Sequence, residues 1–187
     1  MSRPKSTDKS APDFEQYRSY LRVLAIAQLP QRVQPRFDAS DLVQETLMDA
    51  HRDWPQFDGS SENELLAWLR KILVHNLLSA LRYARQQKRD FRREIVDNVN
   101  HSSMCLEKFL AGDQTSPSQC VRRSERYERL FQVLSHLPEN QRQAVVLKHL
   151  HGKSLTDVAE ALGVSVSATG GLLRRGMSTL RKMMGEG

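Results

Sequence analysis

Apolar residues recur at three- and four-residue spacing along most of the chain, and no stretch alternates strictly between apolar and polar. The pattern therefore predicts helices and no strands. Tyr17, Leu21 and Leu24 mark a first helix over 13–28. Pro30 and Pro35 bracket a loop, and a second helix follows over about 40–54 with Val43, Leu47, Ala50 and Trp54 on one face. The turn-rich run 55–61 breaks the pattern. A third helix starts near Glu62 and keeps register through Leu66, Leu69, Leu73, Leu77, Ala80 and Ala84 to about Lys88.

Composition changes after Glu94. Residues 97–119 are polar with few apolar anchors, which reads as a linker holding a short helical piece around 104–110. Helices resume near Ser124 with Leu130, Val133, Leu134 and Leu137. Pro138 opens another at its first turn, where a missing N–H is harmless, and Gly152 ends it after Ala144, Val145, Leu147 and Leu150. The predicted fold is all-α: two small helical domains, 13–96 and 124–187, joined by a flexible polar linker, 97–123, behind a disordered start, 1–12. Each domain is small for an independent core, so moderate stability is expected unless a partner covers apolar surface.

Residues 154–175 are the most specific stretch. Ser154 can cap a helix, with Asp157 three residues on as a capping box requires. Leu155, Val158, Ala159 and Leu162 form one apolar stripe, and small Ala159 lets a second helix cross closely. Gly163 sits where a tight turn needs positive φ, Val164 is placed to plug the corner, and Ser165 can cap the next helix. That helix would bury Thr169, Leu172, Leu173 and Gly176. Together these features predict a helix-turn-helix whose second helix enters a DNA major groove. Two features sit badly in it. Thr169 stands where a larger apolar residue is usual, and Gly170 and Gly171 each cost about 1 kcal/mol of helix propensity relative to alanine.

The formal charge of +6 over 187 residues suits a polyanionic partner. No apolar run approaches the ~20 residues needed to span a bilayer, and the polar N-terminus has no signal-peptide core, so a cytoplasmic protein without membrane insertion is expected. Cys105 and Cys120 lie in polar sequence, and a disulfide is not expected in a reducing compartment. His101, four residues before Cys105, is a weak metal pattern without a further clear ligand, so no metal or other cofactor is predicted. The histidines are scattered, and His149 and His151 read as capping or surface residues. No phosphate loop, acid pair or nucleophile constellation stands out, which argues against an enzyme.

Two further faces carry candidate chemistry. On the second helix, Asp41, Gln44, Glu45 and Met48 share a face opposite the apolar stripe; by themselves they read as an ordinary solvated surface. At the end of the third, Arg82, Arg85 and Arg89 share a stripe, with Lys88, Arg92 and Arg93 nearby and Tyr83 and Phe91 interleaved. Basic side chains neutralise phosphates and rings stack on unpaired bases, although cations also favour any helix C-terminus. Trp68 reads as core, and Asn76 breaks the apolar register in a hydrophobic neighbourhood, as a residue satisfying a buried hydrogen bond would.

The stretches 41–46 (Asp-Leu-Val-Gln-Glu-Thr), 67–72 (Ala-Trp-Leu-Arg-Lys-Ile) continuing to Asn76, 137–139 (Leu-Pro-Glu) and 152–163 occur in an order and spacing that resembles bacterial RNA polymerase sigma factors of the extracytoplasmic-function type. The resemblance covers nearly the whole chain after residue 12. It implies a region 2 bundle that docks on the clamp helices of the polymerase's largest subunit, with Asp41, Gln44, Glu45 and Met48 as contact candidates. It implies a melted −10 element bound by Asn76, Arg82, Tyr83, Arg85 and Arg89, with a flipped base captured in a pocket walled by about 89–99. Its region 4 would read the −35 element through Ser165, Ser167, Ala168, Gly170, Gly171, Arg174 and Arg175. The linker would thread the polymerase's channels, and an anti-sigma factor is a common partner of such proteins.

One departure from the family pattern stands out: Gly170, Gly171 and Leu172 replace the usual lysine, small polar residue and arginine. Either the backbone approaches DNA more closely there, or base reading is weakened; weakened reading is favoured, with Arg174, Arg175, Arg181 and Lys182 supplying mostly nonspecific affinity. The alternative function is a stand-alone helix-turn-helix regulator, which has no reason to carry the docking pattern between Asp41 and Asn76.

Overall fold

The computed structural model of the chain describes residues 10–29, 38–84, 90–110 and 119–185, which form eight α-helices and no strand. Asp13 accepts from the Glu15 amide and starts a short 3-10 turn, Phe14–Tyr17, that runs into helix α1, Arg18–Gln28. Almost every residue of α1 is buried, as expected of a helix enclosed on all sides. It packs against the second (α2, Ala39–Asp53), third (α3, Glu62–Ala84) and fourth (α4, Asp90–Leu110) helices and, from the C-terminal half, against the fifth (α5, Gln119–His136).

Helices α2 and α3 pack through the predicted stripes: Val43, Leu47 and Ala50 against Leu66, Leu69, Leu73 and Leu77, all buried. Fully buried Phe14 meets His51 and Trp54 edge-on, and Trp54, Phe57 and Trp68 complete an aromatic cluster that closes this end. Trp68 is partly buried and packs against the core, as its neighbours foretell.

The stretch expected to be a flexible linker differs from expectation. Residues 97–110 belong to α4, residues 119–123 begin α5, and 111–118 lie outside the described residues. The reason is spacing hidden by composition. Ile95, Val99, Ser102 and Leu106 stand four, three and four residues apart and are all buried. The two serines on this helix are small enough to pack and find polar partners. Gln28 donates to Ser102 at 3.1 Å, and Ser103 shares a 2.8 Å hydrogen bond with the Tyr20 hydroxyl. Arg70 donates to both Tyr20 and Ser103.

In the C-terminal half, α6 (Glu139–Val145) continues as a π turn, Val146–Leu150, before α7 (Leu155–Leu162) and α8 (Val166–Met184). Helix α8 crosses α6 at Gly176, where a Cβ would stand 2.8 Å from Val145 Cγ2 and 3.4 Å from the Gln141 carbonyl. Only glycine permits that approach without displacement.

The two helical units are not held apart. Glu128 on α5 accepts from Ser19 at 2.8 Å and from Arg22 at 3.0 Å, and the Arg22 guanidinium lies 3.7 Å from the centre of the Phe131 ring. Tyr20 meets Tyr127, and the π turn reaches α4 through the Leu150 carbonyl, 3.0 Å from His101 Nδ1. His151, read as a capping or surface residue, does cap the π turn, and its ring is not at the surface. It is largely enclosed against α1, 3.2 Å from Gln28 Nε2. Burial, then the Lys153 charge, lowers its pKa to about 4, although an Ala27 backbone hydrogen bond opposes them. One apolar core runs from Phe14 to Leu180.

Candidate docking and nucleic-acid interfaces

Asp38 caps α2 by accepting from the Ser40 amide, and Leu42, Val43, Thr46, Leu47 and Ala50 turn inward. The helical period then leaves Asp41, Gln44, Glu45 and Met48 exposed together. With Asp49 and Arg52 they line one shallow surface depression. Met48 is 63% exposed, more than any other large apolar side chain among the described residues. The Gln44 carbonyl oxygen accepts from Arg18 at 2.7 Å, and Arg18 in turn pairs with Glu15. Hydrogen bonding to Arg18 lowers the Glu15 pKa despite the small opposing effect of burial. This face presents acid, amide and thioether groups at one level.

Asn76 requires a correction as a DNA candidate. It is 4% exposed, and its amide donates to Asp49 Oδ2 at 2.9 Å. Asp49 also pairs with Arg52 at 2.7 Å, so Asn76 braces the rim of the α2 depression from beneath. Of the other −10 candidates, the side chains of Arg82 and Tyr83, and all of Arg85 and Arg89, lie outside the described residues.

The helix-turn-helix forms as its local chemistry dictates. Ser154 Oγ accepts from the Asp157 amide at 3.1 Å and Asp157 Oδ2 accepts from the Ser154 amide at 3.2 Å, a complete capping box. Hydrogen bonds to its carboxylate, from the Ser154 hydroxyl and then from the Ser154 amide, lower the Asp157 pKa. Gly163 takes φ 65°, and Ser165 Oγ accepts from the Ala168 amide at 3.1 Å. Thr169 fits because its hydroxyl bonds within the helix: it is fully buried and donates to the Ser165 carbonyl at 3.0 Å. Gly176 is buried as predicted, while Leu172 and Leu173 are half-buried. Val164 does not plug the corner. It is 37% exposed, because Val158, Ala159 and Thr169 already fill the space between α7 and α8.

The structure brings the predicted −35 positions to one outward surface of α8. Ser165, Ser167, Ala168, Arg174 and Arg175 are exposed, and Gly170 and Gly171 are partly so. Sequence reasoning passed over Val166, which is 45% exposed. A valine at a helix start reads as core, but its spacing, four residues before Gly170, marks it as outward. Arg181 and Lys182 are exposed one turn and more beyond. Elsewhere, Cys105 Sγ lies 3.5 Å from His101 Nδ1. The described residues contain no cluster of three potential metal ligands, and none of their helices is long and apolar enough to cross a membrane.

Residues 14–88 match sigma-70 region 2 and residues 127–180 match sigma-70 region 4, the stretches that hold α1–α3 and most of α5–α8. The ECF RNA polymerase sigma factor SigG of Mycobacterium tuberculosis is 29% identical over 184 residues, covering 93% of this chain and 49% of the relative. The chain thus spans about half the length of the mycobacterial relatives it matches. The ECF RNA polymerase sigma-E factor of Escherichia coli is 28% identical over 145 residues, covering 75% of this chain and 71% of the relative. Among solved structures, the sigma factor RpoE of Bartonella quintana, crystallised with the anti-sigma factor NepR, is 24% identical, with 92% of this chain and 94% of that chain covered at a TM-score of 0.34.

Proposed function

The chain belongs to the sigma-70 family, in its extracytoplasmic-function group, and on that premise we propose that it is a dissociable specificity subunit of bacterial RNA polymerase. One observation carries the reading: the exposed Asp41–Gln44–Glu45–Met48 face and a fully capped helix-turn-helix occur on the same chain. The α2 face docks on the clamp helices of the largest subunit. Arg82, Tyr83, Arg85 and Arg89 bind the melted −10 element, and α8 contacts the −35 duplex in the major groove. The protein acts in the cytoplasm beside the polymerase and by binding alone. Opening the −10 element costs a few kcal/mol of unstacking, offset by contacts to the unpaired strand and its phosphates.

Run-off transcription with bacterial core polymerase, this chain and a random promoter library tests the reading directly. Defined start sites that depend on the chain are the expected outcome. A chain that neither associates with core nor directs initiation at any defined site refutes the proposal. Tight binding to a duplex operator without polymerase assigns the chain instead to stand-alone regulators.

A further inference from the structure

Helix α8 contains three glycines, and only one is accounted for by the fold. Gly176 is demanded by the α6 crossing. At Gly170 an added Cβ would meet nothing within 4 Å. At Gly171 it would meet only the tip of Arg175, at 3.3 Å from Nη1, the movable end of a long side chain. Neither glycine has the positive φ found at Gly152, Gly163 and Gly185. Packing and backbone geometry would therefore accept alanine at both positions, and alanine is the better helix former. What the two missing side chains change lies outside the chain. They lower the helix surface, so that another molecule can approach the backbone.

The neighbours one turn away define what fits. Val166 and Arg174 flank Gly170 at i−4 and i+4, and Ser167 and Arg175 flank Gly171 in the same way. The result is a saddle with an exposed valine at one lip and two exposed arginines at the other. The Ser165 hydroxyl oxygen accepts from the Ala168 amide, which ties this side chain to the helix start. A major groove accommodates an α-helix, and the thymine C5-methyl is the one apolar group on its floor. Arginines at the other lip meet phosphates or guanine.

We infer that the Gly170–Gly171 saddle seats the major-groove edge of the −35 duplex against the backbone of α8, with Val166 touching a thymine methyl. The glycines then determine specificity rather than weaken it. This deepens the −35 reading proposed above and rests on it.

The test uses the full chain with core polymerase and a −35 sequence selected from random duplexes by the wild-type holoenzyme. Gly170→Ala and Gly171→Ala should leave core affinity unchanged and Tm equal or higher, yet lower affinity for the selected promoter at least tenfold. Replacing the contacted thymine by uracil, which removes only the methyl, should weaken wild-type binding severalfold and leave Val166→Ala indifferent. Alanine variants that bind the selected promoter as tightly as wild type overturn the seat. A wild-type holoenzyme indifferent to uracil at every −35 position overturns the methyl contact. Failure of the underlying function is distinguishable, because then the wild-type chain itself brings core to no promoter, and the inference falls with it.

Discussion

The outer faces of α2 and α8 are both turned away from the core, yet they are built in opposite ways. Helix α2 is fixed from beneath by Leu42, Val43, Leu47 and Ala50, and it presents long side chains to the outside. Helix α8 is fixed by Thr169, Gly176 and Leu180, and in its second turn it presents bare backbone at Gly170 and Gly171, ahead of the exposed Arg174 and Arg175. The first face can recognise a partner through complementary groups. The second can do so only through approach, with its discriminating atoms at the two lips. Glycine itself divides along the same line: on the inner side of α8 it is a packing requirement, and on the outer side it is free of any packing partner but a flexible arginine.

The sharpest way to break this contrast is Gly176→Leu. It drives a side chain into Val145 and the Gln141 carbonyl, so stability should fall by about 3 kcal/mol or more, read by urea unfolding. An unchanged midpoint would remove the distinction between inner and outer glycines.

Acid should act next, and on neither face. Burial holds the folded pKa of His151 at about 4, against the ordinary histidine value of 6.5, so the ring stays neutral where the unfolded chain would be protonated. The stability this represents is complete above about pH 6.5 and is lost as pH falls toward 4, at most about 3 kcal/mol for a shift of this size. Urea midpoints across that range should fall in the wild type and fall less in His151→Gln, which keeps a polar group facing Gln28. A parallel decline in both proteins would contradict the assignment.

On the α2 face, Glu45→Lys should weaken core-polymerase binding about tenfold, or about 1.4 kcal/mol, with Tm unmoved. Equal affinities in a titration of labelled core would take Glu45 out of the interface. The smallest effect expected is Ser154→Ala, which opens the capping box and should lower stability by about 1 kcal/mol. It should leave core affinity intact, so a loss there would show that the two faces are coupled.

Much of this molecule is legible from local spacing. The α2 and α3 stripes, the capping box at Ser154, the turn at Gly163 and the Ser165 cap all form as read, because each involves residues within a turn or two of one another. The docking candidates on α2 were also legible, since a helix with one apolar stripe must expose what lies opposite. The misreadings share a cause. Residues 97–110 look like a tether by composition, but their serines are accepted into the interior by Gln28 and Tyr20, which lie more than 70 positions away in sequence.

Sequence alone therefore determined most of the helices other than α4, the caps of the helix-turn-helix and the two outward faces, because those follow from backbone geometry and near neighbours. Only the tertiary structure decided which polar groups go inside. Asn76 turns to Asp49, Ser102 to Gln28 and Ser103 to Tyr20, and each partner comes from a different helix. A buried polar group is tolerated where a complementary group meets it, and that meeting is a property of the packed chain rather than of any segment.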